Sequence, residues 1–165
     1  MTETKDSFKL IGLKVDGQTS NEDGQSSKDC GELWQKFEAD KVFDRIPAKL
    51  SDEVYAVYFD YNKKKLAFSY FIGCRVDSGT KAFFDLEELL VPAQTYQQFL
   101  AKGVMPDCIT EAWKAIWDTD MAREFGYDLE IYSKKSRDWS DAEVDIFISM
   151  EGVHAKNAES NLKGH

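Results

Sequence analysis

Glu130 is the first residue from which chemistry can be argued. It stands in Tyr127 to Tyr132, Y-D-L-E-I-Y, which alternates like a strand. Tyr127, Leu129 and Ile131 point one way, and Asp128, Glu130 and Tyr132 the other. Both faces carry large side chains, so neither reads as plain solvent surface. A carboxylate placed mid-strand beside an aromatic ring has two readings. It faces water at a sheet edge, or it lies at the floor of an aromatic-lined site. In the second case burial demands a partner, which would be a cationic or hydrogen-bonding ligand. Were Asp128 to share the site, repulsion between the carboxylates would raise the pKa of one of them.

Other reactive residue types offer less. Cys30, Cys74 and Cys108 are far apart and odd in number, which gives neither a C-x-x-C pair nor a disulfide framework. His154 and His165 come late, and His154 reads as a surface residue beyond the last strand. No metal-ligand spacing, G-x-S-x-G elbow or phosphate-cradling glycine loop is present. Neither a metal nor a cofactor is expected. Aromatic content is high, with eleven Phe, seven Tyr and four Trp, enough to fill a core and line a cavity. The formal charge of -9 argues against direct nucleic-acid binding, which needs clustered Lys and Arg, and weakly favours cationic small molecules. The basic run Lys63-Lys64-Lys65 reads as a turn. No signal peptide or membrane span is evident, so a cytoplasmic location is the default expectation.

The elements that must position Glu130 follow from periodicity. Residues 1–7 read as a flexible N-terminus, and Phe8 to Thr19 as a strand. A helix is expected from Ser26 or Ser27, with a serine cap, to Arg45-Ile46-Pro47. Its apolar stripe is Cys30, Leu33, Trp34 and Phe37. Strands over 53–61 and 66–77 make a hairpin, with a third strand somewhere in 80–90. The second half begins near Val91, with a strand at 95–102. A helix at 106–119 follows, with a stripe of Ile109, Ala112, Trp113, Ile116 and Trp117. Strands at 127–132 and 142–150 complete it, and residues 151–165 form a polar tail. Trp34 and Trp113 read as core, and Tyr58 and Tyr70 as a cross-strand pair. The order strand, helix, strands occurs twice, in halves of about 8–90 and 91–150. Together they predict an α+β domain with a groove between similar halves; no residue-level repeat is obvious.

Taken in order, I-G-L-K-V, G-E-L-W-Q-K-F, R-I-P, V-Y-A-V-Y-F-D-Y, F-S-Y-F-I-G-C-R-V and V-P-A-Q-T-Y-Q-Q-F are followed by I-T-E-A-W-K-A-I-W, Y-D-L-E-I-Y and A-E-V-D-I-F-I-S-M. The set spans residues 8 to 150 and resembles the GyrI-like, or bacterial transcription-activator effector-binding, domains. The resemblance implies duplicated β-α-β-β units with pseudo-twofold symmetry, antiparallel sheets and two main helices around a central groove. It places the groove glutamate that engages lipophilic cations at Glu130, and a groove tyrosine at Tyr96. Tyr58, Phe68, Tyr70, Trp113 and Phe147 are further candidates for its wall, with Tyr55 and Trp139 beside them.

Regulators of this kind also carry a DNA-binding helix-turn-helix region, for which this chain has no room before residue 8 or after 150. The expected function is therefore binding of hydrophobic, cationic small molecules in an aromatic groove. The resemblance also implies an enzymatic alternative, since some stand-alone relatives look like hydrolases that open strained cyclopropane rings. That alternative would use Glu130 as general base and Tyr96 as hydrogen-bond donor to the developing oxyanion. A third alternative is a protein-interaction module that recruits a partner chain at a strand edge.

Overall fold

The computed structural model describes residues 2–20, 22–62, 66–83 and 85–151. The expected Lys63–Lys65 turn, both histidines and the expected tail from residue 152 onward lie outside these described residues. The strands are β1 (Thr2–Lys5), β2 (Phe8–Lys14), β3 (Thr19–Ser20), β4 (Val54–Asn62), β5 (Ala67–Val76), β6 (Glu87–Val91), β7 (Gln94–Gly103), β8 (Asp128–Tyr132) and β9 (Ala142–Ser149). The helices are α1 (Gln25–Ala39), α2 (Val42–Arg45) and α3 (Asp107–Asp118). All strands share one antiparallel sheet in the order β1-β7-β9-β8-β4-β5-β2-β6, with β3 paired to β5.

This order is a duplicated β-α-β-β topology. In each half the first strand pairs with the last, and the last two pair with each other. β2 and β4 flank β5, while β7 and β8 flank β9. The halves join where β4 pairs with β8. Register fixes the correspondence between them. Ala56 faces Ile72 and Glu130, while Glu130 faces Ile146 and Ala56. Ala56 and Glu130 are thus each other's equivalents, paired at the pseudo-twofold centre. Two residues further along their strands, Tyr58 and Tyr132 are equivalents as well.

The sheet curls, and its inner face is closed by one cluster. Phe8 and Leu10 of β2, Tyr55 and Val57 of β4, Phe71 of β5, Tyr96 of β7, Leu129 of β8 and Phe147 of β9 meet there. Strands far apart in the sheet order share this cluster only because the sheet bends over it. The helices cover the outer face. Phe37 of α1 and Val42 of α2 pack on Ile11, Leu13, Ile72 and Val76. Trp113 and Ile116 of α3 pack on Ala101, Val144, Ile146 and Ile148. Because both faces are buried, central strands such as β5 read as near-continuous apolar runs rather than alternating ones.

Several boundaries depart from expectation. The segment expected to be loose at the N-terminus contains β1, which pairs with β7 from Thr2↔Gln97 to Lys5↔Gln94. α1 starts at Gln25 with no side-chain cap, after a 3₁₀ turn ending at Gly24 in the left-handed region (φ 70°). It stops at Ala39, because Lys41 turns the chain at φ 51° before the separate α2. The third strand contracts to β6, which pairs with β2. No helix among the described residues is long and apolar enough to cross a membrane.

Candidate functional site

A cavity of about 1150 Å³ opens between α1 and α3 over the outer face of the sheet. Glu130 lies in its wall, 1% exposed. Position dictates this: the β4–β8 join runs between the two helices, and Glu130 is the outward-facing residue at its centre. Tyr132 donates its hydroxyl to Glu130 Oε1 at 2.6 Å. Tyr58 donates to Oε2 at 2.9 Å, and Trp113 Nε1 donates to the same oxygen at 2.7 Å. The two tyrosines are pseudo-twofold equivalents, so a symmetric pair of hydroxyls holds a carboxylate present in one half only.

The rings repeat the symmetry. Trp113 lies edge-on to Tyr58 with centroids 5.1 Å apart, and Trp34 lies edge-on to Tyr132 at 5.0 Å. Trp34 Nε1 donates to the Tyr70 hydroxyl at 2.8 Å. Tyr70 and Phe68 pack on Tyr58 at 4.9 and 5.4 Å. The result is a carboxylate flanked on both sides by tryptophan–tyrosine pairs.

Burial pushes the Glu130 carboxyl above its usual range, opposed by the hydrogen bonds from Tyr132, Trp113 and Tyr58. Burial, then the Glu130 charge, raises the Tyr58, Tyr70 and Tyr132 hydroxyls well above 10. They therefore remain O–H donors. Cys30, also in the wall, is pushed up to about 12 by burial, with a further contribution from Glu130. That leaves it a small apolar wall residue rather than a nucleophile.

Asp128 serves a different purpose. Its Oδ1 accepts from Ser149 N and Oγ at 2.8 and 2.9 Å, tying β8 to the end of β9. Its Oδ2 accepts from the Tyr61 hydroxyl and from Arg123 Nη2. Burial, rather than a repelling neighbour, is the leading cause of the elevation at Glu130.

Of the residues expected to form the site, Glu130, Tyr58, Phe68, Tyr70 and Trp113 come together in the cavity wall, joined by the half-exposed Trp139. Tyr96, Phe147 and Tyr55 do not. They belong to the inner-face cluster, where Tyr96 donates to Gln94 Oε1 at 3.1 Å. Tyr96 therefore does not join Glu130, and the catalytic pair expected of a hydrolase is not assembled.

Trp34, Tyr61, Tyr132, Arg123 and Phe125 also line the cavity and were not singled out for the site. A signal for two of them is present. Glu32-Leu33-Trp34 in α1 matches Glu111-Ala112-Trp113 in α3, and Ala56-Val57-Tyr58 matches Glu130-Ile131-Tyr132. Arg123 and Phe125 lie in an irregular segment with no periodicity to mark them. Among the described residues no cluster of His, Cys, Asp and Glu could hold a metal ion.

Residues 2–150 match the family described as Cass2, integron-associated effector binding protein. The chain belongs to this family. Among solved structures, the integron cassette protein VCH_CASS2 from the mobile metagenome of Vibrio cholerae is 22% identical, with 90% of this chain and 94% of that one covered and a TM-score of 0.64. The structure of SAV2435 bound to tetraphenylphosphonium is 15% identical and covers 94% of this chain and 95% of its own, at a TM-score of 0.74. A putative bacterial transcription regulation protein from Staphylococcus aureus MU50 is 14% identical, with 92% and 97% covered and a TM-score of 0.71. At these identities the likeness establishes the shared fold. No curated protein matches the chain.

Proposed function

We propose that this effector-binding protein takes up hydrophobic organic cations in the cavity between α1 and α3, with Glu130 supplying the opposing charge. One observation carries the reading. The Glu130 carboxylate is buried, yet its three hydrogen-bond partners, Tyr58, Tyr132 and Trp113, are all neutral. Among the described residues no Lys or Arg forms an ion pair with it. A buried carboxylate without a counter-charge is unfavourable, and a cation entering the cavity would offset that. The rings add attraction of about 0.5 to 2 kcal/mol for each face the cation meets. SAV2435, which shares the fold, has been solved with a cation of this kind.

Tryptophan fluorescence provides the test, since Trp34, Trp113, Trp117 and Trp139 all line the cavity. Titration with tetraphenylphosphonium is expected to quench emission saturably. Triphenylphosphine oxide, similar in shape but neutral, should bind at least about tenfold more weakly, a difference of 1.4 kcal/mol. Equal affinity for both would overturn the role of charge.

A further inference from the structure

The cavity has a second polar wall, away from Glu130. Arg123, between α3 and β8, lines it together with Tyr61 and Phe125. The guanidinium is held in place: Nη2 donates to Asp128 Oδ2 at 2.8 Å, and the central carbon lies 4.3 Å from the Phe125 ring centroid. Asp128 is itself immobilised, wholly buried and anchored by Ser149 and Tyr61. The arginine therefore cannot swing toward Glu130 without leaving its own carboxylate unpaired. It remains a fixed donor fork, 12% exposed, of which the ion pair with Asp128 engages Nη2. A guanidinium offers five N–H bonds, so the fork is incompletely used.

Resting on the binding proposed above, we infer that Arg123 forms an acceptor subsite, and that the ligands are hydrophobic cations carrying a neutral hydrogen-bond acceptor such as an ester or amide carbonyl. Three arguments select this class. Asp128 already balances the arginine charge, so a ligand carboxylate would be placed beside a second carboxylate, whereas a neutral carbonyl meets no such repulsion. Asp128 and Glu130 lie two residues apart on one strand face, a separation of about 7 Å. The carbonyl should therefore stand roughly that far or farther from the positive centre. Finally, about 1150 Å³ exceeds the usual drug-sized site of roughly 300–1000 Å³, leaving room for an arm beyond a compact cation.

The test compares two alkyl triphenylphosphonium probes of equal chain length, one bearing a terminal ethyl ester, (4-ethoxy-4-oxobutyl)triphenylphosphonium, and one plain, heptyltriphenylphosphonium. Wild-type protein is expected to bind the ester about fivefold more tightly, although the alkyl probe is the more hydrophobic. Arg123→Met should reverse that order, read as the ester-to-alkyl affinity ratio so that any shift common to both cations cancels. Arg123→Lys keeps the charge beside Asp128 but loses the fork, and should abolish the ester preference. In the wild-type complex the ester carbonyl stretch should move to lower wavenumber, a readout that requires no variant to fold. An unmoved band, or an ester-to-alkyl ratio unchanged across the three proteins, overturns the subsite alone. Failure of both probes to bind the wild type would overturn the cation-binding reading with it.

Discussion

Glu130→Gln is expected to lower affinity for tetraphenylphosphonium about 100-fold, equivalent to some 2.7 kcal/mol, while changing affinity for triphenylphosphine oxide less than threefold. The substitution retains shape and hydrogen bonding. The amide oxygen still accepts from Trp113 and one tyrosine, and the other tyrosine can turn its hydroxyl to accept from the new N–H. Only the charge is removed, so the loss should fall on the charged ligand. Calorimetric titration of both ligands against both proteins decides it. Parallel losses would mean that the glutamate shapes the cavity without attracting the cation.

The same variant should be more stable than the wild type above mildly acidic pH. Glu130 is an acid whose folded-state pKa is raised above 4.5, with burial as the main cause. Between the unfolded value and the raised folded value, the native protein holds a proton that the unfolded chain has released. The stabilising contribution is fully present below about 4.5 and is lost as pH rises through the folded value. Glu130→Gln has no such loss, so its thermal midpoint should exceed that of the wild type at neutral pH by a few degrees, and the gap should close on acidification. Cation affinity runs in the opposite sense. Binding favours the ionised carboxylate, so affinity should climb with pH through the same window, with proton release visible as a buffer-dependent binding enthalpy. Both effects vanish in the variant if Glu130 causes them. Together these outcomes would mean that Glu130 trades stability for cation binding, as expected of a preformed charge site.

The parts of this site legible in the sequence, and those that were not, divide along a physical line. Glu130 could be found because a carboxylate mid-strand in Y-D-L-E-I-Y contradicts a buried strand. β4 and β5 could be found because V-Y-A-V-Y-F and F-S-Y-F-I-G-C-R-V are β-forming almost throughout. That same richness concealed which way the rings point. On β9, Val144, Ile146 and Ile148 pack under α3, whereas Phe147 joins the opposite core. Tyr96 is placed at the groove by the resemblance rather than by periodicity; polar residues lie on both faces of β7, and Tyr96 turns to the inner-face cluster. β1 was hidden for a different reason. Thr2-Glu3-Thr4-Lys5 buries little and is held by backbone pairing to β7, which composition does not reveal. The pseudo-twofold match of Trp34 with Trp113 emerges once the register aligns the halves.

Gly12→Ala should cost more than about 4 kcal/mol, among the largest losses a single substitution produces and comparable to the whole stability of an ordinary domain. Gly12 and Gly73 face each other across β2 and β5. A Cβ on Gly12 would lie 1.9 Å from the Ile72 carbonyl oxygen and 2.6 Å from Gly73 Cα, and one on Gly73 would lie 2.4 Å from the Ile11 carbonyl oxygen. These obstacles are backbone atoms, so no rotamer change relieves them, and β2 must separate from β5. β5 carries Phe68 and Tyr70 of the cavity wall, and β2 supplies Ile11 and Leu13 beneath α1. Loss of the pairing would therefore dismantle one side of the site along with the fold. The expected outcome is an insoluble protein, or a soluble one without cooperative melting or tetraphenylphosphonium-induced quenching. Gly31→Ala is the matched control. Within α1 its added Cβ meets nothing within 4 Å, and it should raise stability by about 0.5–1 kcal/mol through helix propensity. If Gly12→Ala melted cooperatively within a few degrees of the wild type, the tight β2–β5 approach would be wrong, and with it the placement of the α1 wall.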